Sequence, residues 1–257
     1  MINNKYLKLI RERKSYAKNK FIFEIIAKRI IDTLDLLKID IPQALEIGIN
    51  ENKVCNYIEN NFLSKIDRAD VSLLKQTKEI KYKYFEIKTE NLLLEKNLYN
   101  LIYSNCFIHL MADFEKSLEE IYKSLKSNGL LIATIPDKTS MHQLLNSMYK
   151  TDLYFYNGVY QRFNNTIEVQ DALNILKKLK FDAPTIFSDT FNINYKFFSD
   201  LLIDVRNMNL TYCNIDKKQN FENKKYFELL EKSYEDKNAN GDFNLEVKIN
   251  IITAWKK

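Results

Sequence analysis

A short stretch in the first quarter of the chain combines an acidic residue with a glycine turn. Glu46 and Gly48 close an apolar run, and Asn50 and Asn52 follow them. In Rossmann-like sheets, a buried strand that ends in an acidic residue and a glycine turn, and then leads into a helix, presents backbone N–H groups to a nucleotide cofactor. Here asparagine occupies the two later glycine positions of that pattern. A single glycine is a weak signal alone, so the prediction depends on what other elements place beside it.

Two further polar residues stand where predicted strands end. Asp70 closes the second predicted strand and Asn105 closes the fourth. The carboxyl ends of parallel strands meet at one edge of a sheet, which is the edge where open α/β sheets bind ligands. A carboxylate at that edge can accept two hydrogen bonds from a diol such as a ribose. The alternative for Asp70 is that it only caps a turn.

Composition narrows the class of protein. The chain has 257 residues, of which 46% are hydrophobic and 28% charged, as expected for a globular protein with a substantial core. No apolar run approaches the roughly 20 residues that cross a bilayer. The net charge of +5 is interpreted as a lysine-rich surface, so no specific nucleic-acid partner is predicted. Glycine and proline are scarce, with 4 and 3 residues.

Cysteine and histidine usage argues against a metal site and against disulfides. Cys55, Cys106 and Cys213 are isolated in sequence, and the only histidines are His109 and His142. Neither a disulfide framework nor a zinc site follows from this spacing, so no metal is predicted. A reduced, cytoplasmic location fits best. The basic opening segment leaves a transit peptide as the alternative.

Periodicity assigns helices and strands in alternation. Predicted helices cover 21–38, 54–62, 114–125, 169–179 and 195–205, with a helix and a mobile loop within 214–240. Predicted strands cover 44–48, 66–71, 81–87, 98–105, 130–135, 185–189 and 244–254. We expect Gly129 in the turn that ends the helix at 114–125. The alternation predicts an α/β fold with a mostly parallel sheet and helices on both faces. We interpret 1–257 as one domain with N-terminal helices in 1–40.

The segment 137–166 is rich in aromatic residues and interrupts this regular alternation. Tyr149, Tyr154 and Tyr160 belong to a close group of rings there. Two interpretations stay open, namely a lid over a substrate and a helical insertion that uses the rings as its core.

The order of these motifs resembles a known family. Ala44–Gly48, Ala69-Asp70-Val71-Ser72, 99–105, His109 and 125–130 follow one another as in class I S-adenosylmethionine-dependent methyltransferases. Within that family, the chain is most similar to the branch of the biotin-synthesis malonyl-carrier-protein methyltransferase and the complex I assembly factors. The closer similarity is to the latter group, and it extends to the C-terminal segments 194–195, 204–209 and 254–256 and to the basic opening segment 11–17. The resemblance implies a seven-stranded sheet whose last strand is antiparallel.

The resemblance also implies a cofactor, site residues and partners. S-adenosylmethionine would lie with its methionine part near Glu46 and Gly48, and with its ribose on Asp70. Glu90 would flank the adenine, Asn105 would lie at the ligand edge, and His109 matches a histidine frequent in this branch. The alternatives are a surface carboxylate for Glu90 and a loop-holding role for His109. The expected activity is methyl transfer to a protein or carrier-bound carboxyl group, with a link to respiratory complex I assembly. No catalytic residue is implied.

Departures from the family pattern leave a second interpretation open. Asparagine at 50 and 52 tolerates left-handed backbone better than most residues, but its side chain takes up space that the methionine part of the cofactor needs. Lys88 and Asn100 stand where the family has aspartate. The alternatives are a binding or assembly protein that keeps the fold with little catalysis, and a protein-arginine hydroxylase like the assembly-factor relatives.

Overall fold

A computed structural model describes residues 3–13, 20–37, 39–73, 82–207, 211–216 and 222–257. Seven strands form one sheet in the order β3-β2-β1-β4-β5-β7-β6. The strands are β1 (Gln43–Ile47), β2 (Lys65–Asp70), β3 (Lys83–Glu86), β4 (Tyr99–Asn105), β5 (Leu125–Pro136), β6 (Asp182–Tyr195) and β7 (Phe243–Trp255). Strand β7 is antiparallel to both of its neighbours, and the other pairs are parallel. This is the Rossmann-like α/β fold that the sequence predicted.

The central strands lie at the middle of the sheet because they are apolar on both faces. In β4 and β5, Ile102 and Leu131 point to one face, while Leu101 and Ile132 point to the other. All four side chains are fully buried. A strand of this kind must be covered by helices on both sides, which is what a parallel sheet requires.

Helices cover both faces of the sheet. The described helices are α1 (Asn4–Arg11), α2 (Phe21–Leu36), α3 (Lys53–Phe62), α4 (Phe114–Ser124), α5 (His142–Tyr156), α6 (Val169–Lys178), α7 (Phe198–Asn207) and α8 (Lys224–Ser233). One face packs on α4 and α6, for example through Leu118 and Leu176. The other packs on α2 and α3, through Ile30 and Ile58. A third cluster joins α5, α7 and α8 to the long strands β6 and β7.

The predicted elements are present, with shifted limits. Strand β6 is longer than the predicted 185–189, and α7 begins at Phe198 because Tyr195 is the last residue of β6. The predicted residue Lys81 and the part of the predicted mobile loop at 217–221 lie outside the described residues. Within 137–166 the structure has one helix, α5, followed by the irregular segment 157–168.

The role predicted for Gly129 is wrong. Helix α4 ends at Ser124, and it is Asn128 that has a positive φ of 61°. Gly129 instead lies in β5, where a Cβ atom would be 2.8 Å from the backbone oxygen of Lys126 and 3.1 Å from that of Tyr99. Glycine is therefore needed at position 129 because two backbone segments approach it closely. The left-handed turn conformation is adopted by Asn128 instead.

Candidate functional site

The turn after β1 is closed by an aromatic ring. Gly48 has a φ of 85°, a conformation that side chains rarely adopt, and its N–H donates to the carbonyl of Ala69 at 2.8 Å. The buried Phe107 lies directly against this glycine, so that an added Cβ would be 2.2 Å from the Cβ and Cγ atoms of the phenylalanine. The turn predicted from sequence is therefore present, and Phe107 occupies the space above it.

Asp70 joins the end of β2 to that turn. Its Oδ2 accepts a hydrogen bond from the N–H of Ile49 at 2.7 Å, and its Oδ1 accepts one from Ser72 at 3.3 Å. The guanidinium of Arg11 forms an ion pair with the same carboxylate at 2.9 Å, and both side chains are fully buried. Burial raises the pKa of Asp70, while the charge of Arg11 opposes the rise. Asp70, the residue predicted to bind a ribose, thus lies at the expected sheet edge and is paired with a cation.

Asn50 and Asn105 connect the turn to β4. The Asn50 side chain accepts a hydrogen bond from Arg11 and donates one to the backbone carbonyl of Asn105. The Asn105 amide itself donates to the carbonyl of Phe23 at 2.8 Å and accepts from Thr134 at 3.3 Å. Asn105 therefore lies at the predicted edge, with its side chain engaged in bonds to α2 and β5.

Glu46 belongs to a row of buried polar side chains on the α2 and α3 face of the sheet. Arg68 lies beside it on β2 and Tyr103 on β4, in parallel register. The Arg68 Nε donates to Glu46 at 2.5 Å, while its Nη2 donates to the carbonyl of Glu51 at 3.1 Å. Burial raises the pKa of Glu46, and the Arg68 charge opposes that rise. Glu46 is therefore held within the sheet by a cation that the sequence analysis did not single out.

Glu51 is the second buried carboxylate next to this row. Its Oε2 accepts from the backbone N–H groups of Lys53 and Val54, at the start of α3. Burial raises the pKa of Glu51 from 4.5 to about 7, and the neighbouring Glu46 adds to the rise. Backbone donors at a helix N-terminus favour the ionised form, but they do not offset the loss of water here.

This carboxylate predicts a pH-dependent stability. Because the folded pKa of about 7 lies above the ordinary 4.5, the contribution of Glu51 to stability is fully present below pH 4.5 and is lost as the pH rises through 7. The shift corresponds to about 3 kcal/mol. We expect Glu51→Gln to reduce the fall in unfolding free energy between pH 5 and 8, measured by urea denaturation. The control Glu168→Gln, at an exposed glutamate before α6, should leave the fall unchanged. If the unfolding free energy falls equally in Glu51→Gln and Glu168→Gln, Glu51 is not the source of the pH dependence.

His109 is buried in the short 3₁₀ turn Ile108–Leu110. Within the described part of the chain, neither of its ring nitrogens has a hydrogen-bond partner. Burial, with the charge of Arg11, lowers the pKa of His109 to about 3. The ring is therefore neutral at physiological pH. The loop-holding hydrogen bonds weighed as its alternative role are not seen among the described residues.

Glu90 lies at the far end of the same edge and is exposed. It accepts a hydrogen bond from the side chain of Asn4, which also accepts from the backbone and hydroxyl of Thr89 at 3.2 and 2.7 Å. Helix α1 therefore contacts both Glu90 and Asp70. The structure brings Gly48, Asp70 and Asn105 together directly, and it connects Glu90 to them through α1.

Three charged residues of this site were missed in the sequence analysis. Arg68 and Glu51 carry a usable signal, because a charged side chain in or beside a buried strand must find a partner. Arg11 carries none, since it is one of several basic residues in the opening segment.

A cavity of about 550 Å³ lies beyond the end of β5. It is lined by the residues that follow Pro136, by α5 and by the segment 159–166. Its lining combines charged, amide and aromatic side chains, among them Asp137, Lys138, Met141, Tyr149, Phe163 and Asn164. A cavity at this sheet edge has a size typical of sites for small ligands.

Other kinds of site have less support. Among residues 3–13, 20–37, 39–73, 82–207, 211–216 and 222–257, no group of three or more His, Cys, Asp or Glu side chains is arranged to hold a metal ion. All three cysteines are buried. No helix in the described part of the chain is long and apolar enough to cross a membrane.

The residues at the sheet edge have the chemistry to bind a nucleotide cofactor. In this conformation, however, other side chains occupy the space next to them. Asp70 supplies a carboxylate for a diol, and Gly48 supplies a backbone turn without a side chain. Arg11 nevertheless lies on the Asp70 carboxylate and 4.7 Å above the Phe107 ring. A diol that bound the Asp70 carboxylate would therefore have to displace Arg11.

Comparison with known proteins agrees with the fold. The sequence profile described as "Methyltransferase domain" matches residues 45–133. The mouse (Mus musculus) arginine-hydroxylase NDUFAF5, mitochondrial, is 23% identical over 226 residues, which are 82% of this chain and 64% of that protein. Malonyl-[acyl-carrier protein] O-methyltransferase 1 of Coxiella burnetii is 19% identical over 86% of this chain and 76% of its own length.

A solved structure supports the same fold. Phosphoethanolamine N-methyltransferase 2 of Haemonchus contortus, in complex with S-adenosyl-L-methionine, has a TM-score of 0.55 at 17% identity, covering all of this chain and 60% of that one. The profile match supports the predicted cofactor, S-adenosylmethionine. The chain spans 64% of the length of the mouse relative. In sequence and fold, the chain is therefore similar to class I S-adenosylmethionine-dependent methyltransferases and, among their relatives, to NDUFAF5 and a malonyl-carrier-protein methyltransferase.

Proposed function

We propose that this chain binds S-adenosylmethionine at the edge formed by the Gly48 turn and Asp70, and that it methylates a protein or carrier-bound carboxyl group. The observation that carries the proposal is the position of Asp70. Its carboxylate lies at the end of β2 and is fixed to the glycine turn by the N–H of Ile49 at 2.7 Å. A carboxylate next to a turn that has no side chain supports the binding of a ribose diol there.

The residues of the edge would divide the binding between them. Asp70 would hold the ribose hydroxyls and Glu90 would flank the adenine. Asn105, at the end of β4, would lie beside the cofactor. Gly48 would let the methionine part approach the backbone, with Glu46 held nearby by Arg68. The bound group supplies an activated methyl on its sulfonium. A carboxylate is already a nucleophile at neutral pH, so the chain has only to orient it for in-line attack.

The acceptor is proposed from the relatives and from the cavity beyond β5. The Coxiella burnetii relative is named as a methyltransferase of a malonyl group on a carrier protein. The cavity of about 550 Å³ contains Lys138, a suitable partner for an acyl carboxylate. The similarity to NDUFAF5 adds the proposal of a role in respiratory complex I assembly. We also propose one domain over 1–257 and a cytoplasmic location.

A second candidate function is a binding or assembly protein without turnover. The observation that favours it is the filled space above the Gly48 turn, where Phe107 and Arg11 are packed. The name of NDUFAF5 offers arginine hydroxylation as a further alternative. Both alternatives keep the fold and differ in what the sheet edge binds.

Calorimetry with S-adenosylhomocysteine tests the proposal. We expect binding by the wild type, and an affinity at least tenfold lower for Asp70→Asn, because a neutral amide accepts hydrogen bonds from a diol less well. The control is Asp204→Asn, at a buried aspartate on α7 that accepts from Tyr195 at 2.9 Å. Its affinity should equal that of the wild type.

Two results would count against the proposal. An absence of binding up to millimolar concentration would favour the binding or assembly protein. Equal losses in the Asp70 and Asp204 variants would mean that Asp70 acts through stability alone. The acceptor is tested separately, by transfer of a labelled methyl group from S-adenosylmethionine to a malonyl-loaded carrier protein, and the absence of label on the carrier would exclude that acceptor.

A further inference from the structure

Helix α1 lies along the sheet edge that the cofactor is proposed to use. It begins after Asn3, whose side chain accepts from the N–H of Tyr6 at 3.0 Å, and it ends at Arg11. Leu7 and Ile10 are buried in two different core clusters. The helix is thus packed into the edge and not merely resting on it.

The C-terminal end of α1 occupies the position proposed for the ribose. The guanidinium of Arg11 pairs with Asp70 at 2.9 Å, donates to the Asn50 side chain and lies over the ring of Phe107. The Asp70 oxygens therefore accept hydrogen bonds from Ile49 and Ser72 and form an ion pair with Arg11. A diol that bound both carboxylate oxygens would have to replace the guanidinium.

The N-terminal half of α1 occupies the position proposed for the adenine. The Asn4 side chain donates to Glu90 and accepts from Thr89, and Lys8 pairs with Glu86 at 2.9 Å, at the end of β3. One helix therefore contacts both acidic residues, Asp70 and Glu90, that the sequence resemblance assigns to the cofactor.

The contacts of α1 are of a kind that a ligand can displace. A helix of eight residues is not stable alone in water, so α1 depends on its packing. A buried ion pair contributes little net stability, because the loss of water around both charges offsets their attraction. Burial lowers the pKa of Arg11 and raises that of Asp70, which agrees with this balance.

We propose that α1 is an intramolecular competitor of the cofactor: Arg11 on Asp70 and Asn4 on Glu90 close the empty site, and a nucleotide binds only when the helix withdraws. This inference rests on the proposed cofactor function. In the chain without ligand, Arg11 would then have a role of its own. It would pair with the Asp70 carboxylate, which would otherwise be buried without a cation.

The first test measures affinity for S-adenosylhomocysteine by calorimetry. We expect Arg11→Gln to bind at least tenfold more tightly than the wild type, since the competitor for Asp70 is removed. The matched control is Arg29→Gln, at a half-exposed arginine on α2 that pairs with Asp189 and Asp32, and its affinity should stay within twofold of the wild type. Weaker binding by Arg11→Gln than by the wild type would overturn the proposal.

A second test leaves Arg11 and Asp70 in place, in case Arg11→Gln folds poorly. Lys8→Cys and Glu86→Cys replace two exposed, paired side chains, and a bismaleimide joins them. We expect the cross-linked chain to lose at least tenfold in affinity, while the same variant without cross-linker binds no more weakly than the wild type. Full affinity in the cross-linked chain would overturn the competitor role and leave the proposed function standing.

Hydrogen exchange gives a readout that does not depend on activity. The amides of α1 should exchange faster after S-adenosylhomocysteine is added, because the helix has left the edge. Slower exchange would mean that α1 closes over the ligand, which contradicts the proposal. If neither the wild type nor Arg11→Gln binds at millimolar concentration, the cofactor function fails and the competitor role fails with it.

Discussion

Gly48→Ala is expected to lower the unfolding free energy by more than about 3 kcal/mol, or to prevent folding. The added Cβ would lie 2.2 Å from the Cβ and Cγ of Phe107, and a Cβ in the partner cannot rotate away as the end of a long side chain can. The backbone conformation adds strain, since φ is 85°. Urea denaturation followed by circular dichroism measures the loss.

Gly241 provides a control that separates the two causes. Its φ of 82° matches that of Gly48, but no atom of the described residues lies within 4 Å of the position that its Cβ would take. Gly241→Ala should therefore show only the cost of the left-handed conformation, about 1 kcal/mol. Equal losses in the two variants would show that strain dominates and that the contact with Phe107 is not tight.

Arg68→Met is expected to cost about 3–5 kcal/mol, because it leaves a buried carboxylate without its cation. Glu46 and Arg68 are joined at 2.5 Å, with side chains that are 1% and 3% exposed. The methionine keeps much of the volume, so the loss reports on charge and not on a cavity. The free energy should fall further as the pH rises, since Glu46 then ionises without a partner.

A second substitution tests the same pair from the other side. In Glu46→Gln/Arg68→Met no buried charge of the pair remains, so we expect most of the loss to be recovered. Arg29→Met removes an arginine whose side chain is 41% exposed and paired with Asp189, and should cost no more than about 1 kcal/mol. If the double variant is less stable than Arg68→Met, the pair is not the source of the loss.

The strands and most helices were predictable because their signals are local. Runs such as Leu101–Tyr103 and Leu130–Ala133 are apolar without alternation, which indicates strands that are covered on both faces. The limits of the elements were less predictable. Tyr195 continues β6 and does not begin α7, because its partner Phe243 lies on a distant strand that local periodicity does not reveal.

The candidate site was predictable only in part. Gly48 and Asp70 follow strands, so their meeting at one edge follows from parallel topology. The direction of the Asn105 side chain does not, since it is set by the carbonyl of Phe23 on α2. The presence of Arg11 at Asp70 is also beyond sequence reasoning, because nothing near Arg11 distinguishes it from Lys8 or Arg13.

The place of β7 in the sheet has a consequence for the order in which the protein is built. Strand β7 lies between β5 and β6, yet it follows both of them along the chain. During synthesis, Leu125–Pro136 and Asp182–Tyr195 leave the ribosome before the segment that separates them in the folded sheet. Until then β5 has one edge unpaired and β6 has no partner strand, a state prone to wrong pairing. The sheet closes only after Phe243–Trp255 has been made.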